Sequence, residues 1–293
     1  MLRNVTIAVK TFERFASLDA LLTSISRLNL ACPIIIADDS ENKYGGEIQR
    51  RHGGIITKYI PLPYNSGLSK GRNVLLEHVE TDYFLLCEDD FILDGRTNLA
   101  FMAQQMQSDL DILGGICFNR ELLIENKENA LIKHLARLKV RTARRILLWS
   151  LYQSPFLRRA LPVFRKENVW DFYGNFRIVG DVCYIRKLSD ADYAPPYTKC
   201  DFVPNFFMAR TQTLRDNNVY WDNDIKYYGE HLDFFFRVKR RGLKVAITKE
   251  AGVIHQRIHN PFYNPGHSNR RIMMQKNNLR AIRETADLDA VTA

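Results

Sequence analysis

The stretch Asp82-Tyr-Phe-Leu-Leu-Cys-Glu-Asp-Asp-Phe91 is an apolar run that ends in three adjacent carboxylates, Glu88, Asp89 and Asp90. Apolar strands ordinarily end in turn residues, so three acids there concentrate negative charge that a counter-ion must neutralise. Oxygen ligands at a strand end suit the hard cations Mg²⁺ and Mn²⁺, held together with the phosphates of a substrate. The plainer alternative is a polar loop that begins with acids. A second cluster, Tyr228-Gly-Glu-His-Leu-Asp-Phe-Phe-Phe-Arg-Val-Lys239, predicts a helix starting near Gly229. Its spacing puts Glu230, Asp233 and Arg237 on one face and turns Leu232, Phe235 and Phe236 to the core. Glu230, His231 and Asp233 each have the chemistry of a general base, while their plainer role is helix capping and a surface ion pair.

These groups need a scaffold, and the first third of the chain predicts one. Val5-Thr-Ile-Ala-Val9 is a β-branched run ending in the polar Lys10-Thr-Phe-Glu-Arg14. Ser17 reads as the N-cap of a helix over 17–28, with Leu18, Leu21, Leu22, Ile25 and Leu28 on one face. Pro33-Ile-Ile-Ile-Ala37 is a second buried strand ending in Asp38-Asp-Ser40, so the unit predicts parallel strands. Residues 55–62 predict a third strand, followed by Pro63-Tyr-Asn-Ser-Gly-Leu-Ser-Lys-Gly-Arg-Asn73 and a helix to Val79. In that loop Gly67 and Gly71 permit close approach, Ser69 can cap, and Lys70 and Arg72 offer positive potential to a phosphate. Open parallel sheets bind ligands beyond the carboxyl ends of their strands, where Lys10, Thr11, Asp38 and Asp39 fall.

The succession Thr-Ile-Ala-Val-Lys-Thr-Phe, Ala-Asp-Asp-Ser, Asn-Ser-Gly-Leu-Ser-Lys-Gly-Arg-Asn and Glu-Asp-Asp-Phe resembles the nucleotide-sugar half of family 2-type GT-A glycosyltransferases. More narrowly, it is similar to the catalytic domain of ganglioside-type β-1,4-N-acetylgalactosaminyltransferases. The resemblance implies an α/β fold of GT-A (Rossmann-like) type, with a mixed, mostly parallel sheet and helices on both faces. It implies one domain over 1–293, with a nucleotide-sugar half at 1–118 and an acceptor half at 119–293. Asp90 would be the last acid of the Asp-X-Asp element and bind Mn²⁺ or Mg²⁺, with Glu88 in place of the commoner first Asp. His255, after an apolar run, would complete the metal site. The nucleotide-sugar contacts would come from Lys10, Thr11, Glu13, Arg14, Asp38, Asp39, Asn65, Gly67, Ser69, Arg72, Asn73, Glu88 and Asp89. The segment Gly-Glu-His-Leu-Asp-Phe-Phe-Phe-Arg is similar to the family's Gly-Glu-Asp-X-Asp-Leu-X-X-Arg, with His231 where the base is commonly an acid. Asp233 is the first choice of base, with Glu230 and His231 as competitors. Arg257, His259 and Arg270 would belong to a segment that closes over the diphosphate.

The remaining sequence predicts a helix at 99–107, strands at 111–118, 200–210, 243–248 and 252–257, a short helix from 211 to 215 and a last helix at 272–286. Between them, residues 131–166 contain no acid and accumulate Lys133, Arg137, Arg141 and Arg144 opposite Ile132, Leu135, Ile146 and Leu147. This predicts a basic amphipathic helix within an insertion near 127–170. It could lie on an anionic membrane, pack on the sheet, or hold another acidic partner. The chain carries a net charge of +9, which favours phosphate-bearing ligands, anionic membranes or nucleic acid. Aromatic residues near the basic run are unaccompanied by any nucleic-acid-binding signature, so no nucleic-acid partner is expected.

The expected partners are therefore a UDP-sugar donor and a glycan or lipid-linked acceptor. A nucleotidyltransferase is a competing enzyme class, but it needs a glycine-rich loop after the first strand, and Lys10–Arg14 has no glycine. A non-enzymatic basic binding protein would leave both acidic clusters without a role. Five widely spaced cysteines read as reduced packing residues. If Met1 is the natural start the expected place is the cytoplasm, at the inner face of a membrane. An anchor preceding this sequence would move it to a Golgi lumen.

Overall fold

A computed structural model describes residues 2–123, 164–169, 172–256 and 268–291. A short 3₁₀ turn leads into β1 (Val5–Thr11), α1 (Phe15–Arg27), β2 (Ile34–Asp38), α2 (Gly45–His52), β3 (Lys58–Pro61), α3 (Leu68–His78), β4 (Tyr83–Glu88) and β5 (Phe91–Ile92). After α4 (Leu99–Gln105) come β6 (Ile112–Leu123), β7 (Phe164–Val169), β8 (Gly174–Val179), β9 (Val182–Lys187), β10 (Thr198–Cys200) and β11 (Phe207–Arg210). The chain continues through α5 (Thr211–Asp216), α6 (Glu230–Arg240), β12 (Val245–His255), α7 (Ser268–Lys276) and β13 (Ala281–Glu284).

The main sheet runs in the order β10-β12-β6-β11-β4-β1-β2-β3, with β5 on β12 and β7 on β6. The β4-β1-β2-β3 half is parallel, as the helical crossovers require, and β11 enters antiparallel between β4 and β6. Every residue of β1 and β2 is buried, which is why these strands read as unbroken apolar runs rather than alternating ones. Alternation instead sorts residues between two cores. Ala8, Phe84 and Leu86 face α3 and α6, while Ile7, Val9, Leu85 and Cys87 face α1 and α4. Glu88 continues the Phe84–Leu86 face, and this parity aims it at α3 and α6.

Several sequence expectations change at their edges. Ser17 does not cap α1: Arg14 holds the N-cap position, and Ser17 is buried one turn in. Ser69 does not cap α3; Gly67 does so with φ +96°, a conformation that favours glycine, and the Ser69 hydroxyl donates to the Ile225 carbonyl at 2.5 Å. The third strand is shorter than 55–62, and α2 precedes it. Residues 200–210 divide into β10 and β11, and the strands expected at 243–248 and 252–257 are one strand, β12, with a register shift between Thr248 and Gly252. The last helix ends at Lys276, and β13 follows it to pair with β9 in a small second sheet, β13-β9-β8. Within the basic run expected to be helical at 131–166, Phe164 to Lys166 form part of β7. The rest of that run, Arg257 and His259 lie outside the described residues.

All five cysteines are free and buried, in keeping with packing roles. Among the described residues no helix is long and apolar enough to cross a membrane. The helix that carries the second acidic cluster, α6, is anchored by aromatic packing. Phe234 is fully buried and stacks on Trp221 with centroids 4.2 Å apart. Truncating Phe234 to Ala should cost about 3–5 kcal/mol in denaturant unfolding, the range for a large buried aromatic. A loss under about 1 kcal/mol would mean that this face of α6 is not core.

Candidate active site

The site forms where β1, β2 and β4 end. Glu88 is the last residue of β4, Asp89 and Asp90 follow, and β5 then turns onto β12. The β12 register pairs His255 with Phe91 on one side and Asn119 on the other, and the Gln256 amide donates to the Asp90 carbonyl at 2.9 Å. This backbone pairing sets His255 beside Asp90 across 165 positions of sequence. Ligand atoms of Glu88, Asp90 and His255 lie within 4.8 Å of one another.

The donor set suits a divalent cation. Asp90 Oδ1 is buried and accepts no hydrogen bond among the described residues. His255 Nδ1 donates to Asn119 Oδ1 at 3.0 Å, which leaves Nε2 facing Asp90 Oδ2 at 3.5 Å. A second-sphere amide that fixes the tautomer in this way is the usual support for a metal-binding imidazole. Glu88 Oε1 accepts from Asn205 Nδ2 at 2.7 Å and from Arg72 at 3.1 Å.

Arginines neutralise what the cation would share. Arg14 reaches Asp90 Oδ2 at 2.7 Å and Asp89 Oδ1 at 2.5 Å, and the Thr11 hydroxyl donates to Asp89 Oδ2 at 2.8 Å. Arg72, 1% exposed, bridges Glu88 and Glu230 at 3.1 Å each. Burial pushes the Asp89 carboxyl up to about 6, against the pull of Arg14. Burial acts on Asp90 in the same sense, but Arg14 and His255 overcome it and hold that carboxyl at about 2. The imidazole of His255 is correspondingly raised: burial disfavours its cation, and the charge of Asp90 outweighs burial.

The other expected site residues fall into two groups. Asp39 is paired with Lys10 and accepts from the Gly67 amide at 2.9 Å, so these three tie the ends of β1 and β2 to the start of α3. Burial lowers the Lys10 ammonium, against its attraction to Asp39. Asp38 accepts from the amides of Ser40 and Tyr44 and from the Tyr59 hydroxyl. Glu13 spans the loops after β1 and β2, its amide donating to Ser40 Oγ at 2.7 Å and its carboxylate accepting from the Glu41 amide at 2.6 Å. Asn73 exchanges hydrogen bonds with the Trp221 backbone and donates to Asn223 Oδ1, and the Asn65 carbonyl accepts from Lys226. Ser69, Asn73 and Arg72 thus turn inward and fasten α3 to the loop before α6, while Lys70 remains exposed.

The second acidic cluster is divided. Glu230 accepts from Arg72, which also donates to Glu88, and burial raises its carboxyl despite Arg72. Asp233 has different partners: its oxygens accept from Arg237 at 2.9 Å and Asn277 at 2.7 Å, and Arg237 continues to Asp222. His231 Nε2 donates to the Val203 carbonyl at 2.6 Å, and burial with Arg72 nearby holds the ring down at about 3, so it is neutral. Arg270 lies in α7, whose Met273 backs against Gly229. Sequence reasoning missed Asn119 and Asn205. Each is a lone amide at the edge of an apolar run, a signal that a buried strand end needs a polar partner.

This arrangement, a twisted α/β sheet with acids at the carboxyl ends of its parallel strands, is the GT-A fold. Structures with that fold superpose: GalNAc-T7 with UDP, GalNAc and Mn²⁺ aligns over 94% of this chain and 48% of its own, with TM-score 0.62 and 10% identity. S. aureus TarS 1-349 in complex with UDP-GlcNAc aligns over 87% and 59%, with TM-score 0.56 and 11% identity. Residues 6–179 match the profile of glycosyl transferase family 2, and the chain belongs to that family. Human β-1,4 N-acetylgalactosaminyltransferase 1 is 38% identical over 112 residues, 38% of this chain and 20% of the relative. Mouse β-1,4 N-acetylgalactosaminyltransferase 2 is 32% identical over 135 residues, 44% of this chain and 25% of the relative. The matched region thus spans a fifth to a quarter of those relatives.

The two buried histidines should titrate apart. In ring-proton NMR of the metal-free protein, His255 should change charge above the ordinary value near 6.5, while His231 stays neutral down to about 3. The unfolded chain binds a proton at His231 first as pH falls, so His231 removes stability between about 6.5 and 3. A His231 ring that titrates near 6.5 would contradict the burial described.

Proposed function

We propose that this protein is a metal-dependent, inverting glycosyltransferase that moves a hexose or N-acetylhexosamine from a UDP-sugar to a glycan or glycolipid acceptor. The observation that carries the reading is the convergence of Glu88, Asp90 and His255 at the carboxyl ends of the parallel strands. Family membership and the relatives' names support the sugar chemistry. UDP-GalNAc, UDP-Gal and UDP-GlcNAc are the donors to compare first. The nucleotidyltransferase alternative lacks support, since the loop after β1 has no glycine to wrap a triphosphate.

Asp90 and His255, with Glu88, would hold Mn²⁺ or Mg²⁺. When bound, such an ion would supply positive charge to offset that of a nucleoside diphosphate leaving group. The chain's own residues do the rest. The ends of β1 and β2 and the loop before α3 form the walls of the nucleotide subsite, through Thr11, Glu13, Arg14 and Asn65. Lys10, Asp38, Asp39, Gly67, Ser69 and Asn73 act beneath them by fixing those loops to the sheet.

We assign the proton acceptor for the acceptor hydroxyl to Glu230 rather than Asp233. One oxygen of Glu230 is fixed by Arg72 on the metal side, and its raised carboxyl suits a base that must take a proton near neutrality. Asp233, almost one turn further along α6, has both carboxylate oxygens engaged, by Arg237 and Asn277. The neutral, weakly basic ring of His231 packs among Phe172 and Phe235 and steadies the same turn.

Thermal-shift scans with nucleotides and UDP-sugars, with and without Mn²⁺, test the reading on wild type and Asp90→Ala. UDP with Mn²⁺ should stabilise the wild type by about 2.7 kcal/mol at a hundred times Kd, and the shift should vanish in Asp90→Ala. Stabilisation by nucleoside triphosphates in place of UDP would transfer the assignment to the nucleotidyltransferases.

A further inference from the structure

The metal ligands proposed above come with two arginines already bound to them, and the two differ. Arg72 is locked between Glu88 and Glu230 and lies over the Trp221 ring at 5.7 Å. Its positions on both sides of the cleft are structural. Arg14 stands at the N-cap position of α1, on the loop between β1 and α1. Its two terminal nitrogens divide between Asp89 and Asp90, whose side chains are 1% and 5% exposed. Two adjacent buried carboxylates with one guanidinium across them form a neutralising clamp, because unpaired charge at this depth is strongly disfavoured.

The clamp covers the wrong atoms for permanent use. Asp90 is the central ligand of the proposed cation site, and Arg14 takes its Oδ2 while Oδ1 is left buried without a hydrogen bond among the described residues. A divalent ion beside Oδ1 and His255 Nε2 would stand next to a guanidinium that shares its ligand. Like charges so close repel, and one must move. The ion has further ligands in Glu88 and His255, whereas Arg14 has a flexible stem.

We propose that Arg14 is a built-in counter-cation for the metal site. It neutralises Asp89 and Asp90 in the metal-free protein, is displaced from Asp90 when a divalent cation binds, and turns to the anionic diphosphate of the donor. The inference rests on the metal-dependent reading above and adds a direction to it. A cation arriving alone must evict Arg14 from Asp90 and leave it with Asp89 as its one carboxylate partner of the two. A cation arriving with a nucleoside diphosphate supplies a second anion that takes the place of Asp90 against Arg14. Metal and nucleotide therefore strengthen one another, and by linkage each does so equally.

The test is Mn²⁺ binding followed by the electron paramagnetic resonance signal of free Mn²⁺, without nucleotide and then with UDP. Wild type, Arg14→Met, Arg14→Lys and Asp90→Asn are compared, each with a metal-free thermal transition recorded first. Arg14→Met keeps the aliphatic stem and removes the charge. It should bind Mn²⁺ alone roughly 10- to 100-fold more tightly than wild type, the ratio that corresponds to releasing a charge-assisted hydrogen bond. UDP should then enhance its Mn²⁺ affinity less than it does in wild type, and Mn²⁺ alone should raise its transition temperature more. Arg14→Lys keeps a point charge without the two-point contact and should change in the same direction by less, so it serves if the Met variant does not fold.

Folded Arg14 variants with unchanged or weaker affinity for Mn²⁺ alone would overturn the proposal while leaving the metal site intact, provided that wild type binds Mn²⁺ and Asp90→Asn does not. If wild type binds no Mn²⁺ even with UDP, the metal reading fails and the counter-cation role falls with it.

Discussion

Charge neutralisation at the strand ends is the constraint on which this structure depends. Asp39, Asp89, Asp90 and Glu230 are each at most 5% exposed, and three cations from three parts of the chain meet them. Lys10 at the end of β1 takes Asp39, Arg14 before α1 takes Asp89 and Asp90, and Arg72 in α3 takes Glu230 together with Glu88. Buried carboxylates are tolerated only with such partners. Ion pairs thus join apolar packing in fastening α1, α3 and α6 to the strand ends.

That constraint also explains why the two halves of the chain hold together. Arg72 belongs to the loop-and-helix unit that precedes β4, and its partner Glu230 opens α6, 158 residues later. The same seam is reinforced by Asn73 with Trp221, Ser69 with Ile225 and Lys226 with Asn65. Gly229, with φ +124° and Met273 against it, lets the chain enter α6 at the angle that brings Glu230 to Arg72. The group we assign as proton acceptor is thus positioned by the donor side of the site. Asp233, three residues on, is held by Asn277 and Arg237 and keeps α6 from rotating.

Much of this was legible in the sequence where one element alone carries the signal. β1, β2 and β4 are buried on both faces, so their apolar runs and polar ends were plain, and the acids at 88–90 followed directly. His255 was legible through family resemblance, since a single histidine after an apolar run has no meaning until β12 pairs beside Asp90. Elements defined by long-range pairing were hidden. α2 buries only Ile48, so it has no apolar stripe to read. The strands expected at 243–248 and 252–257 read as separate because the polar Lys249 and Glu250 between them sit at a register shift within β12. Arg72 looked like a phosphate ligand because nothing near it in sequence shows that Glu88 and Glu230 take both sides of its guanidinium. The different partners of Glu230 and Asp233 were likewise hidden, because Arg72 and Asn277 are far from them in sequence.

The most direct test of the central claim is an anomalous difference map from a crystal soaked with Mn²⁺ and UDP. One strong peak is expected at Asp90 Oδ1 and His255 Nε2, with Glu88 beside it and the diphosphate on its open side. UDP bound at the strand ends with no Mn²⁺ at Asp90, or Mn²⁺ held elsewhere, would contradict it.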